Sequence, residues 1–139
     1  MSPEKPFQPV SEAEADVLKV LWEAGESTPT DLQERLEQAG TSWAYTTVQT
    51  LLHRLLKKGY VTRRRQGVAQ IYAAAVDREA LLFDHMHDLA ERICDGGTSP
   101  LMHSLVSGSS FTRKQLARFR EILDQAEEEL GKRKRRPKR

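Results

Sequence analysis

Thr46, Thr47, Gln49 and Thr50 are followed by His53, Arg54, Lys57 and Lys58, so uncharged hydrogen-bonding groups give way to cations within one short stretch. These types suit a DNA major groove. A glutamine amide bonds an adenine edge bidentately, a threonine offers a hydroxyl and a methyl, and arginine or lysine takes guanine or phosphate. Base-reading side chains sit near the amino-terminal end of a recognition helix. That nominates Thr46, Thr47, Gln49 and Thr50 for bases, and His53, Arg54, Lys57 and Lys58 for phosphates. The run Arg63-Arg64-Arg65 follows, with two readings: a phosphate-gripping wing, or an edge strand protected by charge. Strand alternation puts Arg63 and Arg65 on one face and Arg64 on the other, and no acid lies near them in sequence.

Charge placement favours the nucleic-acid reading over an ordinary solvated helix face. Residues 41–72 carry six basic side chains and no acidic one, whereas residues 1–40 hold three against nine and residues 77–131 six against eleven. The last eight residues add seven more basics, so the net +2 conceals a positive island on an acidic body. Such an island is an electrostatic footprint for a polyanion.

Other chemistries find little support. His85 and His87 project ~200° apart on a helix and cannot chelate as an i, i+4 pair would. His53, His103 and Cys94 are isolated, so neither a metal nor a cofactor is expected. No Ser/His/Asp order, glycine-rich phosphate loop or HExxH occurs, and nothing points to an enzyme.

The elements that must position these residues are well punctuated. Ser11 with Glu14 makes a capping box for a first helix striped by Ala13, Val17, Leu21 and Ala24 and stopped at Gly25. Thr28-Pro29 opens a second, with Leu32, Leu36 and Ala39, ending at Gly40. Both are expected to be acidic outside. In the third, Ala44, Tyr45, Val48, Leu51, Leu52 and Leu55 share the core face, and Gly59 ends it. Tyr60–Arg65 and Val68–Ala73 read as strands around a Gln66-Gly67 turn. Three short helices and a hairpin describe a winged helix-turn-helix. A fourth helix from Asp77 through Asp95, broken by Gly96-Gly97, a fifth from Ser99-Pro100 to Gly108, and a sixth boxed by Thr112 and Gln115 follow. The predicted fold is mainly α with a small β-hairpin: an extended arm at 1–7, a winged helix-turn-helix at 8–75, a helical dimerisation domain at 76–131 and a disordered basic tail at 132–139. The dimer-forming positions are expected to be Leu81, Leu89, Ile93, Leu105, Leu116, Phe119, Ile122 and Leu123, an apolar surface larger than one small monomer covers.

A chain of 139 residues accommodates one domain or two small units. No apolar run approaches the ~20 residues that span a bilayer, so no membrane partner is expected. The arm, with Pro3, Pro6 and Pro9, lacks the apolar centre of a signal peptide. A lone cysteine fits a reducing cytoplasm.

The order Ser-Glu-Ala-Glu-x-x-Val-Leu-x-x-Leu-Trp, then Ala-Tyr-Thr-Thr-Val-Gln-Thr-Leu-Leu-x-Arg-Leu-x-Lys-Lys-Gly, then a basic wing ending in Tyr72, resembles the penicillinase-repressor (BlaI/MecI/CopY) family. The resemblance is specific over about residues 10–75 and looser to 130. It implies a homodimeric winged-helix repressor of inverted-repeat operators that dimerises through its carboxy-terminal helices. Its base-reading helix corresponds to Thr46, Thr47, Gln49, Thr50 and Arg54. Copper-sensing relatives carry a carboxy-terminal cysteine cluster, which one thiol cannot supply. Relatives that respond to β-lactams are cut by a protease at an Asn-Phe bond in the fifth helix, and the matching place here is Leu105-Val106. The expected function is therefore a dimeric repressor on double-stranded operator DNA, with a protease as a further partner. Two rivals remain: a protein–protein adaptor on the same scaffold, and a nonspecific nucleic-acid binder led by the basic tail.

Overall fold

Ser11 Oγ accepts the Glu14 N–H at 3.1 Å while the Glu14 carboxylate accepts the Ser11 N–H at 3.1 Å, and this box starts α1, Glu12–Ala24. Thr28 and Asp31 repeat the arrangement ahead of α2, Pro29–Gln38. Helix α3 spans Tyr45–Lys58 and ends on Gly59 at φ 84°, a left-handed turn that glycine adopts without strain. Strands β1 (Val61–Gln66) and β2 (Ala69–Ala74) form an antiparallel hairpin, and α4 (Arg78–Ile93), α5 (Ser99–Gly108) and α6 (Arg113–Arg135) follow. This computed structural model describes residues 7–94 and 99–135. It divides the chain into two compact units, Met1–Gly96 and Gly97–Arg139. Most of the proline-rich arm, Asp95, the Gly96-Gly97 break and the last four tail residues lie outside the described part.

The first unit closes around one core. Val17, Leu18 and Leu21 of α1, Leu32 and Leu36 of α2, and Val48, Leu51, Leu52 and Leu55 of α3 are all buried, and Val61 and Tyr72 join them from the hairpin. The Ser27 N–H donates to the Tyr72 carbonyl and the Tyr72 N–H to the Ser27 carbonyl, both at 2.9 Å. A short extended segment thus bridges the outer edge of β2 at Tyr72 and satisfies that residue's outward N–H and carbonyl. Three helices, a hairpin and this edge segment make a winged helix-turn-helix; the chain is mainly helical beyond it.

Several expectations change in detail. Gln66 pairs with Ala69, so the turn is Gly67-Val68, one residue later than expected; Gly67 at φ 62° meets the positive φ that a two-residue hairpin turn demands. Ala44 and Tyr45 are exposed instead of joining the core stripe. Ala44 is the cap residue, and a side chain in the first turn leans past the helix end. Ala39 is exposed as well. Leu81, expected at a dimer interface, is buried in the core of its own unit. The basic tail begins helical: α6 runs to Arg135. Cations suit a helix carboxy terminus, Lys132 lies 3.8 Å from Glu129, and Arg135 Nε donates to the Gly131 carbonyl at 3.2 Å.

The sharpest departure is Glu14, which is 2% exposed despite lying on a helix expected to be acidic outside. Its Oε1 takes Lys58 Nζ at 2.8 Å, and Lys58 also donates to the Pro9 carbonyl at 2.9 Å. Lys58 is therefore an internal strut, not a phosphate ligand. Nearby, the Tyr60 hydroxyl donates to the Gln8 carbonyl. The Val10 N–H donates to His85 Nε2 at 3.1 Å, which leaves the ring proton on Nδ1, 2.9 Å from the Leu81 carbonyl. Phe7 packs edge-on against the same ring. Residues 7–10 thus tie Lys58 at the end of α3 and Tyr60 just before β1 to His85 of α4.

Burial pushes the Glu14 carboxyl upward, yet the Lys58 ammonium and the Ser11 groups outweigh it and hold it below its ordinary value near 4.5. A group with a lowered folded pKa stabilises above its unfolded pKa, and that contribution is lost as pH falls through the folded value. Lys58→Ala leaves a buried carboxylate unpaired. The expected loss at neutral pH is about 2–3 kcal/mol, below the range for fully buried pairs because the Lys58 side chain is 22% exposed. Denaturant titrations should show the gap from the parent protein narrowing as pH falls and folded Glu14 takes up its proton, first in the variant, whose buried carboxylate has lost its partner, and then in the parent. A gap that is absent at neutral pH contradicts the strut.

Candidate nucleic-acid interface

One face of α3 is buried against the core; the other carries Thr46, Thr47, Gln49, Thr50, His53, Arg54 and Lys57, all exposed. Thr46, Thr47, Thr50 and Arg54 come together around an open hollow of about 230 Å³. The Thr50 hydroxyl donates to the Thr46 carbonyl at 2.9 Å, so outward it offers its methyl and oxygen lone pairs. Gln49 points elsewhere. With Tyr45 it lines a second hollow of about 270 Å³, shared with Thr28 and Thr30 at the start of α2 and with Val68, Gln70 and Tyr72 of the hairpin. The base-reading candidates therefore form two groups, with Gln49 at the seam between helix and wing.

The hairpin register aims the wing. Arg63 stands opposite Tyr72 and Arg65 opposite Gln70, and directly opposed residues share a face. Arg63 and Arg65 thus project on the side of Tyr72 and Gln70, the side that borders the Gln49 hollow. Val68, 98% exposed, forms the tip. Arg64 lies on the opposite face, as alternation requires, but it is not without an acid. Its Nη2 reaches Glu26 Oε2 at 2.7 Å and its Nε reaches Oε1 at 3.3 Å. That bidentate contact lowers the Glu26 carboxyl and raises the Arg64 guanidinium. The expectation of three unpaired wing arginines is therefore corrected to two. Among the described residues, no ion pair engages Arg54, Lys57, Arg63 or Arg65.

Tyr45 and Gln70 were not among the predicted site residues. Gln70 could have been found from hairpin pairing, since even the expected Gln66-Gly67 turn sets it opposite a wing arginine, Arg63; a helical wheel hides Tyr45 by assigning it to the core. Glu26 had no sequence signal, being 38 residues from Arg64. The histidines on α4 have other tasks: His85 holds the arm, and His87 stacks on Phe83 and meets Glu91 at 3.2 Å. No described helix is long and apolar enough to cross a membrane.

The chain is similar to known regulators over most of its length. It is 23% identical to a penicillinase repressor of Bacillus licheniformis over 121 residues, 87% of this chain and 94% of that protein. To the methicillin resistance regulatory protein MecI of Staphylococcus aureus strain N315 it is 23% identical over 115 residues, 83% of this chain and 93% of the other. Among solved structures, the DNA-binding domain of the repressor BlaI matches with 31% identity over 51% of this chain and 85% of that one, at a TM-score of 0.46. The monomeric form of Bacillus licheniformis BlaI in complex with the blaP half-operator matches with 30% identity over 55% and 90%, at a TM-score of 0.45. The penicillinase repressor family model matches residues 10–125, which include all of α1 to α5, the hairpin and the first half of α6, and the chain accordingly belongs to the penicillinase repressor family.

Proposed function

We propose that the chain is a homodimeric transcriptional repressor that binds inverted-repeat operators in double-stranded DNA. The observation that carries this reading is the exposed hydrogen-bonding face of α3, ringed by Arg54, Lys57, Arg63 and Arg65, within a segment that has no acidic residue. In this reading Thr46, Thr47, Gln49, Thr50 and Arg54 read bases, while His53, Lys57, Arg63 and Arg65 hold phosphates.

Dimerisation is supported by apolar surface that the single chain leaves open. Neither α5 nor α6 buries a residue. Leu116, Phe119, Ile122 and Leu123 recur along α6 at helical spacing and are all exposed, as are Leu105 on α5 and Leu89 and Ile93 on α4. A second copy covers such a surface and joins two weak half-site contacts into one strong one. Leu105 and Val106 are both about half exposed. A protease cutting there separates α6 from the winged helix and releases DNA without touching a base-reading residue.

Base and phosphate roles separate by titration. Gln49→Ala is expected to cost ~1–3 kcal/mol on the operator with little change on random DNA. Lys57→Ala should weaken every sequence alike and lower the salt slope by about one. Equal losses of Gln49→Ala on operator and random duplexes contradict the assignment.

A further inference from the structure

Arg64 and Glu26 meet across the wing. The Ser27–Tyr72 bridge places Glu26 beside β2, level with Ala73. Ala73 pairs with Thr62, and Ile71 with Arg64, so Arg64 and Glu26 lie on the same face of the hairpin and its bridging segment. From β1 the guanidinium reaches over β2 and grips the carboxylate through two nitrogens. Among the described residues, Glu14 and Glu26 are the acids that ion-pair with the basic 41–72 segment. Glu14 is buried and structural. Glu26 is not: its side chain is 53% exposed and that of Arg64 is 51% exposed.

We propose that Glu26 is an intramolecular competitor for phosphate, neutralising Arg64 in the free protein and limiting the grip of the wing on DNA of any sequence. The proposal rests on the reading of the wing as a phosphate-binding element. A carboxylate and a phosphate present the same paired oxygens to a guanidinium fork. An exposed ion pair is weak and readily exchanged, so the contact does not lock the wing's geometry. What it does is subtract one positive charge from the wing, and sequence-independent affinity scales with the charge that the wing brings to the DNA backbone. Because non-operator sites vastly outnumber operators in a genome, a lower background grip favours occupancy of the correct one.

Salt titrations of a short mixed-sequence duplex test this with the full chain. Each added phosphate contact steepens the slope of log K against log salt by about 0.9, which is about eightfold in affinity at 0.1 M salt. Glu26→Gln is expected to gain up to that amount in both slope and affinity. Glu26→Gln combined with Arg64→Ala should return to the parent values, since the freed guanidinium is then gone. Glu26→Gln binding no tighter than the parent overturns the proposal, and so does a double variant that keeps the gain. Arg63→Ala with Arg65→Ala serves as the reference. If that pair fails to weaken binding, the wing does not hold phosphates at all; if it weakens binding while Glu26→Gln gains nothing, only the competitor role fails.

Discussion

A fragment ending at residue 96 is expected to sediment as a monomer and to bind the operator at least ~100-fold more weakly than the whole chain. It should keep its fold. The core of α1, α2, α3, the hairpin and Leu81 lies wholly within that first unit, as do the arm contacts to Lys58, Tyr60 and His85. What it loses is α5 and the exposed stripe of α6. If affinity came from one winged helix alone, the loss would be slight. Two half-sites held together convert the second contact into an intramolecular one, and that gain disappears with the link. A fragment that stays dimeric, or binds as tightly as the whole chain, locates the dimer contact within the first unit instead.

Replacing Arg63 and Arg65 together by Ala should reduce the salt slope by about two and the affinity about 60-fold at 0.1 M salt, without altering the preferred sequence. Both side chains are exposed, unpaired among the described residues and aimed from the face that borders the Gln49 hollow. A changed consensus in a binding-site selection contradicts the phosphate assignment and makes the wing a reader of bases. Arg64→Ala added to this pair should contribute less than either of the others, since Glu26 already meets its charge.

The scaffold was legible in the sequence where local chemistry is self-sufficient. Ser11–Glu14 and Thr28-Pro29 announced their helices because caps act within a turn. Leu52 and Leu55 declared the buried face of α3 through spacing alone. Contacts between distant segments were not legible. Nothing near Lys58 in sequence shows that Glu14 waits 44 residues away, nor does the wing announce Glu26. For the same reason the island of unpaired charge looked larger than it is: two of its six cations, Lys58 and Arg64, are matched by acids from the flanking acidic stretch. A helical wheel misplaces Tyr45 because it treats every turn alike, whereas the first turn of α3 opens onto the hollow beside the wing. Composition alone marks the basic tail as unfolded, yet its first four residues are helical because α6 carries them.

Sequencing the duplexes that the purified full-length chain retains from a randomised pool tests the central claim most directly. The account predicts a two-fold symmetric consensus, with half-sites centred about one helical turn or a whole multiple apart. Retention of no preferred sequence, or of a single asymmetric site, contradicts it.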